Sequence, residues 1–292
     1  MTKVLKRCRL AAEPELQKCM GTVFERTRPA AVAGLFYPDE ARELGRSVET
    51  YLAEGRPARA KDPKAIIAPH AGYIYSGPVA GTAFRAWLDA KPAVERVVLV
   101  GPSHHVWFEG LALPSASAFE TPLGRVAVDR EAVSGITDLP QVHVFDPAHA
   151  AEHCLEVELP FLQVLLGRFA IVPLVVGEAT DEQVEEVLHR LWGGPETRIV
   201  ISSDLSHYHP YEVARRIDRS TAGAIEAGEA ELLTAQHACG FRAIRGLLRA
   251  AGARGLMAET ADLRNSGDTA GPRDRVVGYG AFLFEPRQCV AA

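Results

Sequence analysis

The sequence predicts an α/β fold, a single three-layer α/β/α domain with a mostly parallel central sheet. Three observations predict it. Short apolar runs rich in Val and Ile alternate with longer segments of helical period, the pattern of repeated strand–helix units. Three of those runs end in a turn that carries histidine: Ala65-Ile-Ile-Ala-Pro-His70, Val97-Val-Leu-Val-Gly-Pro-Ser-His-His105 and Ile199-Val-Ile-Ser-Ser-Asp-Leu-Ser-His207. No linker is long enough to demand a second domain, and 292 residues with 47% hydrophobic content can bury one large core.

Taken in order, residues 29–40 read as a short packed segment turned by Pro38. Asp39 is expected to cap a helix to about Ala53, with Leu44, Val48 and Leu52 on one face. Gly55 to Pro63 is a linker. Ile66 and Ile67 form a buried strand broken by Pro69 and Gly72, which leaves His70 at the strand's carboxyl end, where open α/β sheets bind ligands. A helix is expected over Pro78 to Ala90 and a second strand over Arg96 to Val100. Gly110 to Asp129 holds β-prone pieces for a hairpin or edge strands.

Phe145 to His153 is a polar loop, followed by a helix from Leu155 to Leu166 that Gly167 closes. Phe169 to Gly177 is an apolar strand. Asp181 to Trp192 is a helix with acids in its first turn and Arg190 near its end, as the macrodipole favours. Arg198 to Ser202 is the third histidine-bearing strand. Tyr211 to Ala227 and Glu229 to His237 read as helical around Gly228, and Cys239-Gly240 precedes another helix, Phe241 to Ala251. Val276 to Phe284 is the closing strand, whose Gly-Tyr-Gly centre marks a close backbone approach.

Composition excludes some functions. A net charge of −5 gives no basic face for nucleic acid, and no apolar run approaches the roughly 20 residues that span a bilayer. Met1 to Cys19 is basic and lacks the apolar centre of a signal peptide, so a cytoplasmic protein is expected. Residues 1–28 are expected as a flexible extension, with Met20 as an alternative start, 29–286 as the domain and 287–292 as a tail. Five cysteines form no CxxC pair, which supports neither a zinc ribbon nor a redox motif.

Imidazole and thiolate are good ligands for iron, copper and zinc. His70, His104, His207 and Cys239 all fall on turns or breaks rather than apolar faces. Each alone could be a satisfied core residue, but three histidines at equivalent positions favour a shared site. Whether their loops converge is not settled by the pattern. His105 adjoins His104, so only one of the two should reach a common ion. Cys239 lies just ahead of a helix, where N–H dipoles can lower a thiol pKa. Asp204 could ligate a metal or orient a histidine, and Glu152-His153 could supply an acid–base group. His143, His149 and His189 are expected at the surface, and Tyr73, Tyr75, Trp107 and Tyr208 around an aromatic mouth. No Gly-x-Ser-x-Gly elbow and no phosphate-binding glycine loop is present.

Five motifs in order, Ala68-Pro-His-Ala-Gly-Tyr, Gly101-Pro-Ser-His-His, Glu152-His-Cys-Leu-Glu-Val-Glu-Leu-Pro, Ser202-Ser-Asp-Leu-Ser-His-Tyr and Ala238-Cys-Gly, resemble the Memo family (mediator of cell motility) from about Pro29 to Phe284. The resemblance implies a domain similar to the class III extradiol ring-cleaving dioxygenases, which use non-haem iron. It implies metal ligands at His70, His104 and Cys239, with Asp204 and His207 beside them; as an oxidoreductase the chain would use His207 as general base, oriented by Asp204. His105, His153, Glu156 and Tyr73 would then support the ligands or touch substrate. Cysteine in place of the dioxygenase carboxylate is softer and favours copper(I) or zinc over iron(II). Cys154 and Glu158 also depart from the family pattern, and Glu158 is expected to face outward. The resemblance further implies an Ammecr-like protein and a radical SAM enzyme as partners; this chain has no CxxxCxxC cluster motif of its own. Three readings follow: a metal-dependent, dioxygenase-like oxidoreductase, a binding or adaptor protein for phosphopeptide or a partner protein on the same fold, and a zinc hydrolase.

Overall fold

The β-branched runs become the middle of one sheet. In chain order the elements are β1 (Thr27–Arg28), α1 (Ala41–Glu54), β2 (Ala65–Ala68), α2 (Tyr73–Arg85), β3 (Arg96–Pro102), β4 (Leu111–Leu113), β5 (Ala118–Thr121), β6 (Gly124–Val128), α3 (Arg130–Ser134) and β7 (Val142–Val144). They continue with α4 (Pro147–Ala150), α5 (Leu159–Leu166), β8 (Ala170–Val176), α6 (Asp181–Leu191), β9 (Thr197–Ser202), β10 (His207–His209), α7 (Tyr211–Ala227), α8 (Phe241–Gly252), β11 (Leu256–Asn265) and β12 (Val276–Pro286). The structure, a computed structural model, describes residues 26–88 and 94–286. Residues 1–25, the 287–292 tail and the expected end of the Pro78–Ala90 helix lie outside the described residues.

Strands β8, β3, β9 and β2 lie side by side and parallel. Their Val and Ile side chains are buried on both faces, as parallel strands under two helical layers require. On one side β12 pairs antiparallel with β2, setting Phe282 opposite Ile67, and β11 pairs with β12. On the other, β6 joins β8 in parallel and β5 and β1 extend the edge. Helices α1, α2 and α5 pack together over one face. The opposite face is covered by α6 and α8, which pair, and by α7 against β11 and β12. This is the single α/β/α arrangement that the alternation predicts.

The strand order β3–β9–β2 decides the question the pattern left open. The three histidine-bearing strands are neighbours and parallel, so their carboxyl ends emerge together at one edge of the sheet.

Local differences have local causes. The first helix is capped by Glu40, not Asp39; the Glu40 carboxylate accepts the N–H groups of Arg42 at 3.0 Å and Glu43 at 2.8 Å. Helix α2 begins at Tyr73 and carries Pro78 inside it, whereas Pro78 alone suggests a start. Close packing outweighs the lost N–H bond: a Cβ on Gly81 would lie 2.3 Å from the Tyr51 carbonyl oxygen, so glycine lets α2 sit tight on α1. The expected helix at Glu229 to His237 is a single 3-10 turn, Ala230–Leu232, because Gly228 ends α7 at φ 74° and turns the chain away. Strand β11 has no sequence counterpart because its residues are half-buried without regular alternation.

Candidate metal centre

Two strand ends, a loop and a helix-start turn bring the donors together. His70 follows β2, His104 follows β3, and His153 stands between α4 and α5. The His70 ring lies 5.2 Å from that of His104 and 5.3 Å from that of His153, and the last two stack at 4.6 Å. One ring nitrogen from each of the three lies within 4.8 Å of the others, close enough to share an ion. The sulfur of Cys239, on the turn before α8, is 3.3 Å from Nε2 of His70.

The Nδ1 nitrogens of His70 and His104 are hydrogen-bonded, and that of His153 lies near a carboxylate. His70 Nδ1 is 2.7 Å from Ser202 Oγ. His104 Nδ1 is 2.8 Å from Glu152 Oε1, and His153 Nδ1 is 3.3 Å from the same oxygen. Glu152 also accepts the backbone N–H groups of His104, His153 and Cys154 at 2.7, 2.9 and 3.1 Å. Burial alone would raise this carboxyl's pKa, but hydrogen bonds and charge at His104, with the N–H groups, hold it well below the usual range. His70 and His104 therefore turn Nε2 away from these partners, the way metal-binding histidines are normally oriented.

Ser202 explains the tautomer of His70. Its Oγ lies 2.7 Å from His70 Nδ1, 2.7 Å from the Cys154 carbonyl and 2.8 Å from Glu158 Oε1. A carbonyl can only accept, so the one hydroxyl proton goes there. His70 Nδ1 and Glu158 must then both donate to the two Ser202 lone pairs. That makes Glu158 a neutral acid, in keeping with burial that pushes its pKa well above the carboxylate range. The expected outward orientation of Glu158 is wrong. A 3-10 turn over Glu156–Glu158 precedes α5, and its three-residue period swings Glu158 fully into the interior.

Asp204 accepts the N–H of His70 at 2.9 Å and also that of Ala71, yet burial pushes its carboxyl up to about 7. Its own N–H points at Cys239 Sγ from 3.3 Å. N–H contacts do not win at Cys239 as the sequence suggests. Desolvation, then the Asp204 carboxyl, push the thiol up to about 12, although N–H and hydroxyl contacts oppose them. A cation binding there must displace a proton. Burial lowers the pKa of His207, which bonds to the Leu205 backbone. Among the described residues no hydrogen bond joins Asp204 to His207, so they share a wall without forming a pair.

A cavity of about 480 Å³ opens over His70, His104, His153, Asp204 and His207. A second, of about 280 Å³, opens over His104, His105 and Cys239. Tyr75 and Tyr208 line the larger and Trp107 the smaller. Tyr73 lines neither: it is buried and its hydroxyl donates to the Val157 carbonyl at 2.8 Å. Glu156 is also buried away from the cavities, where it pairs with Arg28 and accepts the N–H groups of Ala31 and Val32. His149 is not a surface residue. It is 3% exposed, its Nε2 lies 3.0 Å from the Ala112 carbonyl, and burial lowers its pKa to about 4. Phe36, Tyr279 and Arg275 reach the larger cavity from distant parts of the chain and carry no local signal in the sequence.

With this geometry in place, comparison with known proteins is direct. A sequence profile described as Memo-like protein matches residues 28–283. The chain belongs to the Memo family. Its Memo-family relatives include a protein of Aquifex aeolicus, 37% identical over 270 residues, covering 89% of this chain and 99% of that one. Another, from Ignicoccus hospitalis, is 37% identical over 285 residues, covering 88% and 98%. A third, from Methanosarcina barkeri, is 34% identical over 271 residues, covering 88% of this chain and all of the relative. Each is described as a MEMO1 family protein. In this Memo-family chain the described residues include no helix long and apolar enough to cross a membrane.

Proposed function

We propose that this Memo-family chain is a metal-dependent oxidoreductase with a dioxygenase-like site. One iron(II) or copper(I) ion is held by His70, His104 and Cys239, with His153 within reach as a further donor. The observation that supports this most is the convergence of three imidazoles, two of them hydrogen-bonded through Nδ1, beside a thiol 3.3 Å from His70 Nε2. The donors suit a borderline-soft ion. When bound, such an ion supplies Lewis-acid and redox chemistry.

The chain's own residues do the rest. Glu152 and Ser202 fix the imidazoles. His207, kept neutral by burial on the cavity wall, is placed to take a proton from a substrate. Asp204, whose carboxyl titrates near neutrality, can hold or release one beside it. Tyr75 and Tyr279 add aromatic surface to the cavity wall. The same donors around zinc, with a bound water, would instead make a hydrolase.

The test is elemental analysis of anaerobically purified protein, followed by oxygen-uptake assays. The proposal expects about one iron or copper per chain, with loss in both His70→Ala and Cys239→Ala. A wild type that takes up no metal even on reconstitution would sink it. A binding-protein reading has one observation of its own. Leu35, Ile74, Trp107 and Tyr208 are exposed, and they either line a cavity or adjoin residues that do. Partner binding that survives His70→Ala would favour that reading.

A further inference from the structure

The larger cavity carries a feature that the metal donors do not explain. Tyr208 has φ 61°, the one non-glycine residue of positive φ among the described residues. A bulky side chain there is a genuine outlier, and such strain gathers at functional sites. The surroundings enforce it. His207 pairs with Val277 and His209 with Val276, so the register slips at Tyr208 and leaves its ring exposed over the cavity mouth. The Arg275 guanidinium lies 5.1 Å from the centre of that ring.

Arg275 is, among the described residues, the one lysine or arginine lining this cavity. Among the described residues it has no carboxylate partner, unlike Arg242 and Arg245 on α8, which pair with Glu178 and Asp181. A guanidinium supported on an aromatic face keeps its planar fork for a ligand. Pro272, Val277, Tyr75 and Tyr279 line the same cavity as His70 and His104. The volume, about 480 Å³, falls in the range of small-molecule sites, roughly 300–1,000 Å³.

We infer that this cavity takes an organic monocarboxylate. Its carboxylate is held by Arg275 on the Tyr208 ring, and its apolar or aromatic body lies along Tyr75 and Tyr279 with the far end at the histidines. One permanent cation matches one negative charge; a phosphate monoester, close to a dianion at neutral pH, would call for a second. The inference deepens the proposed enzymatic reading and rests on it for the identity of the reacting end. Arg275 and Tyr208 are specificity-determining residues; neither is asked to move a proton, although the Tyr208 ring lies 5.8 Å from that of His207.

The test uses three probes of like shape: 3-phenylpropionate, its primary amide and 2-phenylethyl phosphate. Binding is measured by calorimetry or ligand-observed magnetic resonance to wild type, Arg275→Gln, Tyr208→Phe and Tyr208→Gly, in metal-loaded and chelator-treated protein. Arg215→Gln, at an exposed arginine on α7, controls for loss of a positive charge. The acid should bind about tenfold more tightly than the amide. Arg275→Gln should abolish that preference, Tyr208→Gly weaken it, and Tyr208→Phe and Arg215→Gln retain it. Equal binding of acid and amide, tighter binding of the phosphate, or no binding of either at roughly 1 mM overturns the inference. So does a preference that survives Arg275→Gln and disappears on chelation, since the ion would then hold the carboxylate and the metal reading alone would stand. A preference lost in Arg275→Gln in protein that binds no metal sustains the anion site and rejects the metal reading.

Discussion

The sulfur of Cys239 and Nε2 of His70 lie 3.3 Å apart, although 169 residues separate them in the chain. A soft donor beside borderline imidazoles should govern metal preference. Cys239→Ser, which swaps sulfur for a hard oxygen, is expected to lower affinity for copper(I) or zinc relative to iron(II) by about tenfold, ~1.4 kcal/mol. Competition titrations with chelators of known affinity measure this. An unchanged preference would mean that the sulfur does not touch the ion.

Glu152 orients two imidazoles and satisfies three backbone N–H groups at once. Glu152→Ala leaves those donors buried without an acceptor, so unfolding free energy should fall by about 2–4 kcal/mol. Glu152→Gln keeps an acceptor but loses the charge, and metal affinity should fall about 10–100-fold with a smaller loss of stability. Denaturant unfolding and metal titration separate the two effects. Equal behaviour of the two variants would count against a role in orienting the ligands.

Glu158 is a neutral acid donating to Ser202. Glu158→Gln preserves a donor at that position and should change stability by less than about 1 kcal/mol. Infrared difference spectra should lose one protonated-carboxyl band in the variant at neutral pH. A wild type without that band would show Glu158 ionised and overturn the tautomer assignment of His70.

Gly240 lets the Cys239 turn press against the end of β9. A Cβ there would lie 2.8 Å from the Ser203 Cβ and 3.0 Å from the Ser202 carbonyl oxygen. Gly240→Ala should cost about 1–3 kcal/mol and move the thiol away from His70. Metal uptake should therefore fall with stability. Full metal binding in a stable Gly240→Ala protein would contradict this.

Asp218 on α7 is buried, accepts the Ser206 N–H at 3.0 Å, and has its carboxyl pushed up to about 6 by burial. The folded state thus holds its proton more tightly than the unfolded chain. Its contribution to stability is full below about pH 4 and is lost as the pH rises through about 6, a change on the order of 3 kcal/mol. The stability difference between wild type and Asp218→Asn should narrow or reverse over that window. A constant difference from pH 4 to 7 would show that Asp218 does not titrate in it.

Several parts of the site were legible because their signals are local. Pro69 and Gly72 stop a strand, so His70 had to stand at its end. The spacing of Leu44, Val48 and Leu52 marks one helix face, and all three are buried. The misreadings fall where a few residues compete. Glu156 and Glu158 sit two apart on one turn, and only the 3-10 geometry shows that both point inward, one to Arg28 and one to Ser202. Tyr73 resembles a mouth residue because it follows the His70 turn, but the early start of α2 carries it into the core. His149 reads as polar surface because the Ala112 carbonyl that satisfies it belongs to another strand.

By itself the sequence determined the strand–helix alternation, the three histidines at strand ends and the family, because hydrophobic period and turn chemistry act over a few residues. The tertiary structure alone decided that β3, β9 and β2 are neighbours, which gathers those histidines and adds His153. It also decided that burial pushes the Cys239 thiol up instead of activating it, and that Arg275 meets Tyr208. Strand order and burial depend on packing between segments far apart in the chain. Desolvation at a given side chain is set by what those segments place around it.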